Sequence, residues 1–259
     1  MKRLFSNFFT SDDVFCIDMC YDIIRVCMLF YNERKQLFHH GGADMKDYKA
    51  YIFDFDLTLA DSSKGILECF RHTLKHFGYK VPDDKAIYNT IGLTLQDAFD
   101  ILTDTPMNPK RDEMRKVYVE KANEVMSAHT YFYKDTLPIL EKLRANYIKT
   151  AIVSTKMRYR IVESFEVQLG VHPYDVIVGL EDVSAPKPAP QGIEKAIEIL
   201  GVTKDEVLYV GDSYIDAETA VNAGVDFAAV TTGPTDRETF MRYPNIAIGS
   251  SLTEALPEL

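Results

Sequence analysis

The chain has 259 residues, 46% hydrophobic and 26% charged, enough apolar content for one large or two modest cores and unlike a disordered polymer. Its formal net charge of −10 excludes an electrostatic nucleic-acid face, which needs clustered Lys and Arg, so an anionic ligand has to be attracted by a local device. Four cysteines, among them Cys16, Cys20 and Cys27, show neither a disulfide framework nor a paired CxxC, and read as free thiols in a reducing cytosol.

The first apolar run, residues 14–31, contains Asp18, Asp22 and Arg25, charges that are expensive in a bilayer, and no small-residue cleavage site follows it. The expectation is a cytoplasmic protein with neither signal peptide nor membrane anchor. Met45 opens MKDYKAYIFDFD, a polar lead into the first strand. Residues 1–44 therefore read as an N-terminal extension, either a start-site misassignment or an amphipathic accessory helix.

A short buried strand is predicted at 50–55, followed by a helix over SSKGILECFRHTLKHFG, where Ile66, Leu67, Phe70, Leu74 and Phe77 recur at helical spacing before Gly78. Helical patterns continue near 84–91, 94–102, 109–127 and 137–145, with no strong strand signal among them. From KTAIVST onward the rhythm changes to alternating strands and helices: YDVIVG, EVLYVGD and DFAAVTT as strands, and helices at 158–169, 190–200 and 215–223. The expected fold is α/β, a doubly wound parallel sheet with an inserted all-helical domain. Its core comprises residues 45–62 and 147–259, and the helical cap residues 63–146, because such a block is too long for a single crossover.

Three strands end in polar residues. YIFDFD places Asp54 and Asp56 at the end of an apolar run, AIVST supplies Ser154 and Thr155, and VLYVGDSYID supplies Asp212 and Asp216. Lys187 lies between Pro186 and Pro188, which restrict the backbone on both sides. Each has a plainer alternative: a helix cap for Ser154, a solvated loop charge for Lys187, a turn and cap for GDSYID. Converging carboxylates, however, repel unless a hard cation sits among them, and oxygen-only donors favour Mg²⁺. In that setting Asp54 can attack phosphorus as a carboxylate and Asp56 can exchange protons with leaving and attacking oxygens. Lys187 and Ser154 can stabilise the equatorial oxygens.

These four motifs, DFDLT, AIVST, the lysine of APKPAP and GDSYID, resemble those of the haloacid dehalogenase superfamily, in the family's order, and its phosphoglycolate-phosphatase-like branch in particular. The resemblance implies a Mg²⁺-dependent phosphatase for a small phosphorylated metabolite acting through an aspartyl phosphate. It makes Asp54 the nucleophile and Asp56 the acid/base. Asp54, the Asp56 carbonyl and Asp212 would be metal ligands, with Asp216 behind them and Ser154, Thr155 and Lys187 around the phosphate. Departures are Leu57 where the family has Gly, Ser154-Thr155 where Thr-Asn is frequent, and Asn146 at a helix exit commonly held by Gly, where Asn tolerates the left-handed region. Lys64, Arg71 and Gly92 are candidates for substrate contact from the cap, Gly92 equally a helix stop. The alternatives are a β-phosphoglucomutase-like isomerase and a catalytically silent binding module. Expected partners are a small phosphorylated molecule, no nucleic acid and no membrane, in a monomer or homodimer.

Overall fold

Every residue of Ala50–Phe53 (β1) is buried, and strand alternation sends Ala50 and Ile52 to one side, Tyr51 and Phe53 to the other. A strand apolar on both faces belongs inside a sheet covered on both sides. The computed structural model, which describes residues 46–256 and 259, has that sheet; the readings of residues 1–44 lie outside the described residues. With Lys149–Val153 (β4), Val176–Val178 (β5), Val207–Gly211 (β6), Asp226–Val230 (β7) and Ala247–Gly249 (β8), β1 forms a six-stranded sheet. The order is β5-β4-β1-β6-β7-β8 and every pairing is parallel. Chain order reverses direction at β1, between β4 and β6, which is where doubly wound sheets open a crevice at the carboxyl ends of their strands.

Helices cover both faces. Tyr51, Phe53 and Phe55 pack with residues of Thr136–Ala145 (α5), Arg158–Gln168 (α6) and Leu252–Ala255 (α10). On the opposite face, Ala50 and Ile52 meet Gln191–Leu200 (α7), Tyr214–Ala223 (α8) and Arg237–Phe240 (α9). Helix α5 falls within the interval read as cap, yet Ile139, Leu140 and Leu143 join the sheet core. Its apolar stripe marks it as amphipathic but does not say which layer it covers.

Between β1 and α5 lie Ser63–His76 (α1), Asp84–Tyr88 (α2), Leu95–Leu102 (α3) and Arg111–Val125 (α4). Asp83 and Thr94 cap α2 and α3 by accepting from the amides of Ala86 and Asp97. These helices have their own apolar cluster, in which the Phe70 ring meets Phe99 at 5.1 Å and Tyr118 at 4.9 Å, both edge-on. Ala60–Asp61 (β2) and Tyr131–Phe132 (β3) pair antiparallel where the chain leaves and re-enters the sheet layer. Two residues apiece are too few to leave a periodic signal, so this ribbon was not visible in the sequence.

The exit from α5 departs from expectation. Asn146 stays right-handed at φ −96°, its side chain donating to the Lys142 carbonyl, and Tyr147 takes the left-handed conformation at φ 58°. The amide of Ile148 then bonds the Leu143 carbonyl at 3.0 Å, the closure of a Schellman-type exit one residue later than anticipated. No helix among the described residues is long and apolar enough to cross a membrane.

Phe165 is fully buried with its ring 4.6 Å from Phe132, 5.0 Å from Tyr174 and 6.1 Å from Phe55. Phe165→Ala should lower unfolding free energy by roughly 3–5 kcal/mol, read by urea denaturation followed by circular dichroism.

Candidate active site at the strand ends

The amide of Asp54 donates to the Val210 carbonyl at 2.9 Å, extending the β1–β6 ladder one residue and carrying the aspartate into the crevice. The chain then turns sharply. Leu57 takes φ 62°, its amide bonds the Ala60 carbonyl at 2.8 Å, and Leu59 bonds back to Phe55 at 3.0 Å. A left-handed leucine costs about 1–2 kcal/mol. Leu57 is 1% exposed and packs with the helical cluster, and burial of that size, roughly 1.5–3 kcal/mol, is enough to offset the strain.

Three carboxylates and one lysine meet beyond β1 and β6. Lys187 Nζ lies 2.7 Å from Asp216 Oδ1 and 3.0 Å from Asp54 Oδ1. The second approach meets the distance of an ion pair without the alignment of a hydrogen bond, so Asp54 Oδ1 is buried with no hydrogen-bond partner. Asp216 is saturated by comparison. Its Oδ1 accepts from Lys187 and from Tyr209 at 2.7 Å, and its Oδ2 from the Ser213 amide at 3.1 Å and the Ser213 hydroxyl. Four donors use the four acceptor positions of a carboxylate. Asp212 accepts from the Thr58 hydroxyl at 2.8 Å.

Burial drives the ionisation pattern. It pushes Asp54 up to about 6, against the pull of Lys187 and with Asp216 and Asp56 adding repulsion. Burial also raises Asp212 well above the usual carboxylate range, again aided by Asp216 and Asp54. Asp216 goes the other way: burial opposes its charge, but Lys187, Ser213 and Tyr209 outweigh burial and hold it below the ordinary value. Burial likewise disfavours the Lys187 ammonium, and Asp216 and Asp54 outweigh it, leaving the lysine raised.

Asp54, Asp212 and Asp216 each offer an oxygen within 4.8 Å of the others. Since Asp216 is fully engaged, the oxygens with spare capacity belong to Asp54 and Asp212, and an all-oxygen donor set suits Mg²⁺. The orphaned Asp54 oxygen and the two raised carboxylates are the marks of a site that fits a cation. Gly233 makes room for the Asp212 carboxylate: a Cβ there would fall 1.8 Å from Asp212 Oδ2.

Asp56 stands apart from that cluster. Lys156 Nζ holds both its oxygens, at 2.7 and 2.9 Å, and the Ser62 hydroxyl donates to Oδ1. Ser154, 6% exposed, accepts from the Lys156 amide at 3.3 Å. Ser154, Thr155 and Lys187 line one small hollow of ≈ 10 Å³. The Thr155 hydroxyl donates to the Gly92 carbonyl at 3.3 Å, joining the sheet layer to the helical layer, and Tyr88 does the same toward the Thr232 carbonyl at 2.8 Å.

A larger cavity of ≈ 100 Å³ opens over Asp56 between the two layers, and Gly92 lines it. Lys64 and Arg71 do not: Lys64 is exposed and Arg71 pairs with Asp84 on the surface. The phase of α1 explains this, since Ile66 and Phe70 hold the cavity face and positions 64 and 71 turn away from it. Lys156, Thr58, Tyr209 and Gly233 were not singled out from the sequence. The position of Lys156 two residues beyond Ser154 was a usable signal; the other three contacts depend on loops and strands brought together by the fold.

Gly233→Ala forces the new methyl into Asp212, so kcat/KM should fall at least tenfold, as for other displaced catalytic geometry. Gly78→Ala, in a left-handed turn with open space around it, should cost about 1 kcal/mol of stability and leave turnover unchanged.

The model of the haloacid dehalogenase-like hydrolases matches residues 51–230. A pyrophosphatase PpaX from Listeria monocytogenes is 34% identical over 180 residues, 66% of this chain and 78% of the relative. One from Bacillus mycoides is 27% identical over 208 residues, covering 80% and 95%. Among solved structures, a haloacid dehalogenase-like hydrolase from Bacteroides fragilis superposes with TM-score 0.77 at 43% identity over 79% of this chain and 98% of that one. A phosphoglycolate-phosphatase-like neighbour from Lactobacillus delbrueckii, at 23% identity and TM-score 0.69, shares the fold. With its doubly wound sheet and its aspartates gathered at the ends of β1 and β6, the chain belongs to the haloacid dehalogenase-like hydrolases and is a phosphatase of that family.

Proposed function

We propose that the protein is a Mg²⁺-dependent phosphomonoesterase of the cytoplasm that passes its substrate's phosphoryl group through Asp54. The observation that carries this is the Asp54 carboxylate, buried with an unbonded oxygen between Lys187 and Asp212. A nucleophile needs a free lone pair, and elsewhere in the cluster the protein's own donors are satisfied.

Asp54, the Asp56 carbonyl and Asp212 would hold Mg²⁺, which would supply neutralisation of the charge on the transferring phosphoryl group. Asp54 attacks phosphorus while the ester P–O bond breaks, and a proton on Asp56 goes to the departing alkoxide. In the second half-reaction Asp56 removes a proton from water, whose oxygen attacks the aspartyl phosphate and restores Asp54. Ser154, Thr155 and Lys187 hold the equatorial oxygens. Asp216 acts through Lys187, fixing the ammonium with two partners of its own, Tyr209 and Ser213. Lys156 binds both Asp56 oxygens, which keeps the acid/base aimed at the cavity. Phosphoglycolate, the substrate implied by the resemblance to that branch, and pyrophosphate, named for the relatives, both belong in a substrate panel.

Chelator should abolish turnover and Mg²⁺ restore it, with Asp54→Asn inactive at any metal concentration. Asp56→Asn should release about one equivalent of p-nitrophenolate per enzyme and then stall, because an activated leaving group departs without a proton but water still needs a base. Stopped-flow absorbance measures both phases, and the steady rate should fall by about 10²–10⁴.

The raised carboxylates also predict a pH-dependent metal effect. In the metal-free fold Asp54 binds its proton more tightly than the ordinary value of 3.8, so between about pH 4 and 6 the folded state holds more protons than the unfolded one. Its contribution to stability therefore falls as pH rises through that window. Asp212 acts in the same sense. Mg²⁺ should raise the melting temperature more at pH 7.5 than at pH 5, measured by scanning calorimetry.

A further inference from the structure

Resting on the phosphomonoesterase reading, we propose that the cavity over Asp56 receives an organic leaving group with an apolar body and a second anionic end, a carboxylate, held by Arg115. The substrate class is thus a phosphomonoester of a hydroxy acid in which an apolar spacer larger than a single methylene, an aromatic ring or an alkyl chain, separates the phosphoryl and carboxylate groups.

The walls set the body. Ile66, Phe70, Leu93, Leu95, Val119 and Met126 line the cavity. A multiply charged leaving group such as inorganic phosphate would lose hydration against these side chains without recovering it, whereas a ring or alkyl chain gains by contact.

The charges set the far end. Three cationic side chains line the cavity, Lys156, Arg160 and Arg115. Two are already compensated. Lys156 holds Asp56 through both carboxylate oxygens, and Arg160 binds Glu163 at 3.0 Å and the Asn123 side chain. Arg115 is half-buried and, among the described residues, takes part in no recorded hydrogen bond or ion pair. On α4 it shares one face with Tyr118, Val119 and Ala122, at spacings of three, four and seven residues, and these line the cavity with it, as does Met126 at the helix C-cap. Arg115 therefore belongs to the same wall as the apolar contacts, and the planar fork of its guanidinium matches a carboxylate in two hydrogen bonds.

The test compares para-carboxyphenyl phosphate, phenyl phosphate, phosphoglycolate and pyrophosphate with the full-length enzyme and Mg²⁺. The carboxylated aryl ester should have the highest kcat/KM. Its advantage over phenyl phosphate should drop about tenfold in Arg115→Ala, recover in part in Arg115→Lys and reverse in Arg115→Glu, the loss expected for one charge-assisted contact. A merely structural arginine, lying along the wall by its aliphatic stem, would change both aryl esters alike and leave that ratio fixed, which overturns the proposal. Preference for pyrophosphate or phosphoglycolate over both aryl esters overturns it too, while leaving the phosphohydrolase reading intact. Hydrolysis of none of the four with Mg²⁺ present would remove both.

Discussion

Three buried carboxylates face one buried ammonium at the carboxyl end of the sheet, and the site is organised around that imbalance. With Asp54, Asp212 and Asp216 ionised against Lys187, two negative charges remain, the complement of one divalent cation. The protein meets the cost unevenly. Asp216 receives four donors and holds the lysine; Asp54 and Asp212 are left short of donors, with raised proton affinity. A carboxylate deprived of donors inside a protein is poised to take a cation or attack an electrophile, and the two uses are compatible only when the oxygens divide the work.

The turn after Asp54 links that cluster to the helical layer. Leu57 is left-handed, which leucine adopts at a cost, and its side chain lies in the apolar cluster of α1, α3 and α4. Asp56 and Thr58 flank it, the first held by Lys156 and Ser62, the second donating to Asp212. One strained residue thus ties the acid/base and a metal-side carboxylate to the position of the helices above them. Glycine in its place would remove the strain and the anchor together.

The helical layer contributes one face of each helix to the cavity. Ile66 and Phe70 from α1 and the stripe from Arg115 to Ala122 on α4 line the cavity side by side, Phe70 touching Tyr118. Gly92, through its carbonyl, and Tyr88, through its hydroxyl, tie the layer to the strand ends. Hence the layer that closes the site also supplies most of its apolar surface, while the sheet supplies its charge. This division suits phosphoryl transfer, in which the reacting group is the same for many substrates and the leaving group distinguishes them.

The sheet strands β1, β4, β5, β6 and β7 and the helices α1 to α8 were legible in the sequence, because hydrophobic period and β-branched runs depend on local burial, whereas the four-residue helices α9 and α10 were not read from it. The placement of Asp54, Asp56, Ser154 and Asp212 was legible too, since polar residues ending apolar strands stand out against their surroundings, while Lys187 stood out by its flanking prolines and Asp216 by lying one helical turn beyond Asp212. The two-residue ribbon and the short strand β8 were too brief to leave a period. The layer to which α5 belongs, the residue that turns left-handed after it, and the faces of α1 and α4 that line the cavity were decided only by tertiary structure. An amphipathic stripe records that a face is buried but carries no information about what buries it. For the same reason the sequence singled out Lys64 and Arg71 and not Arg115: charge is written in the residue, but its direction follows from how the helix is packed.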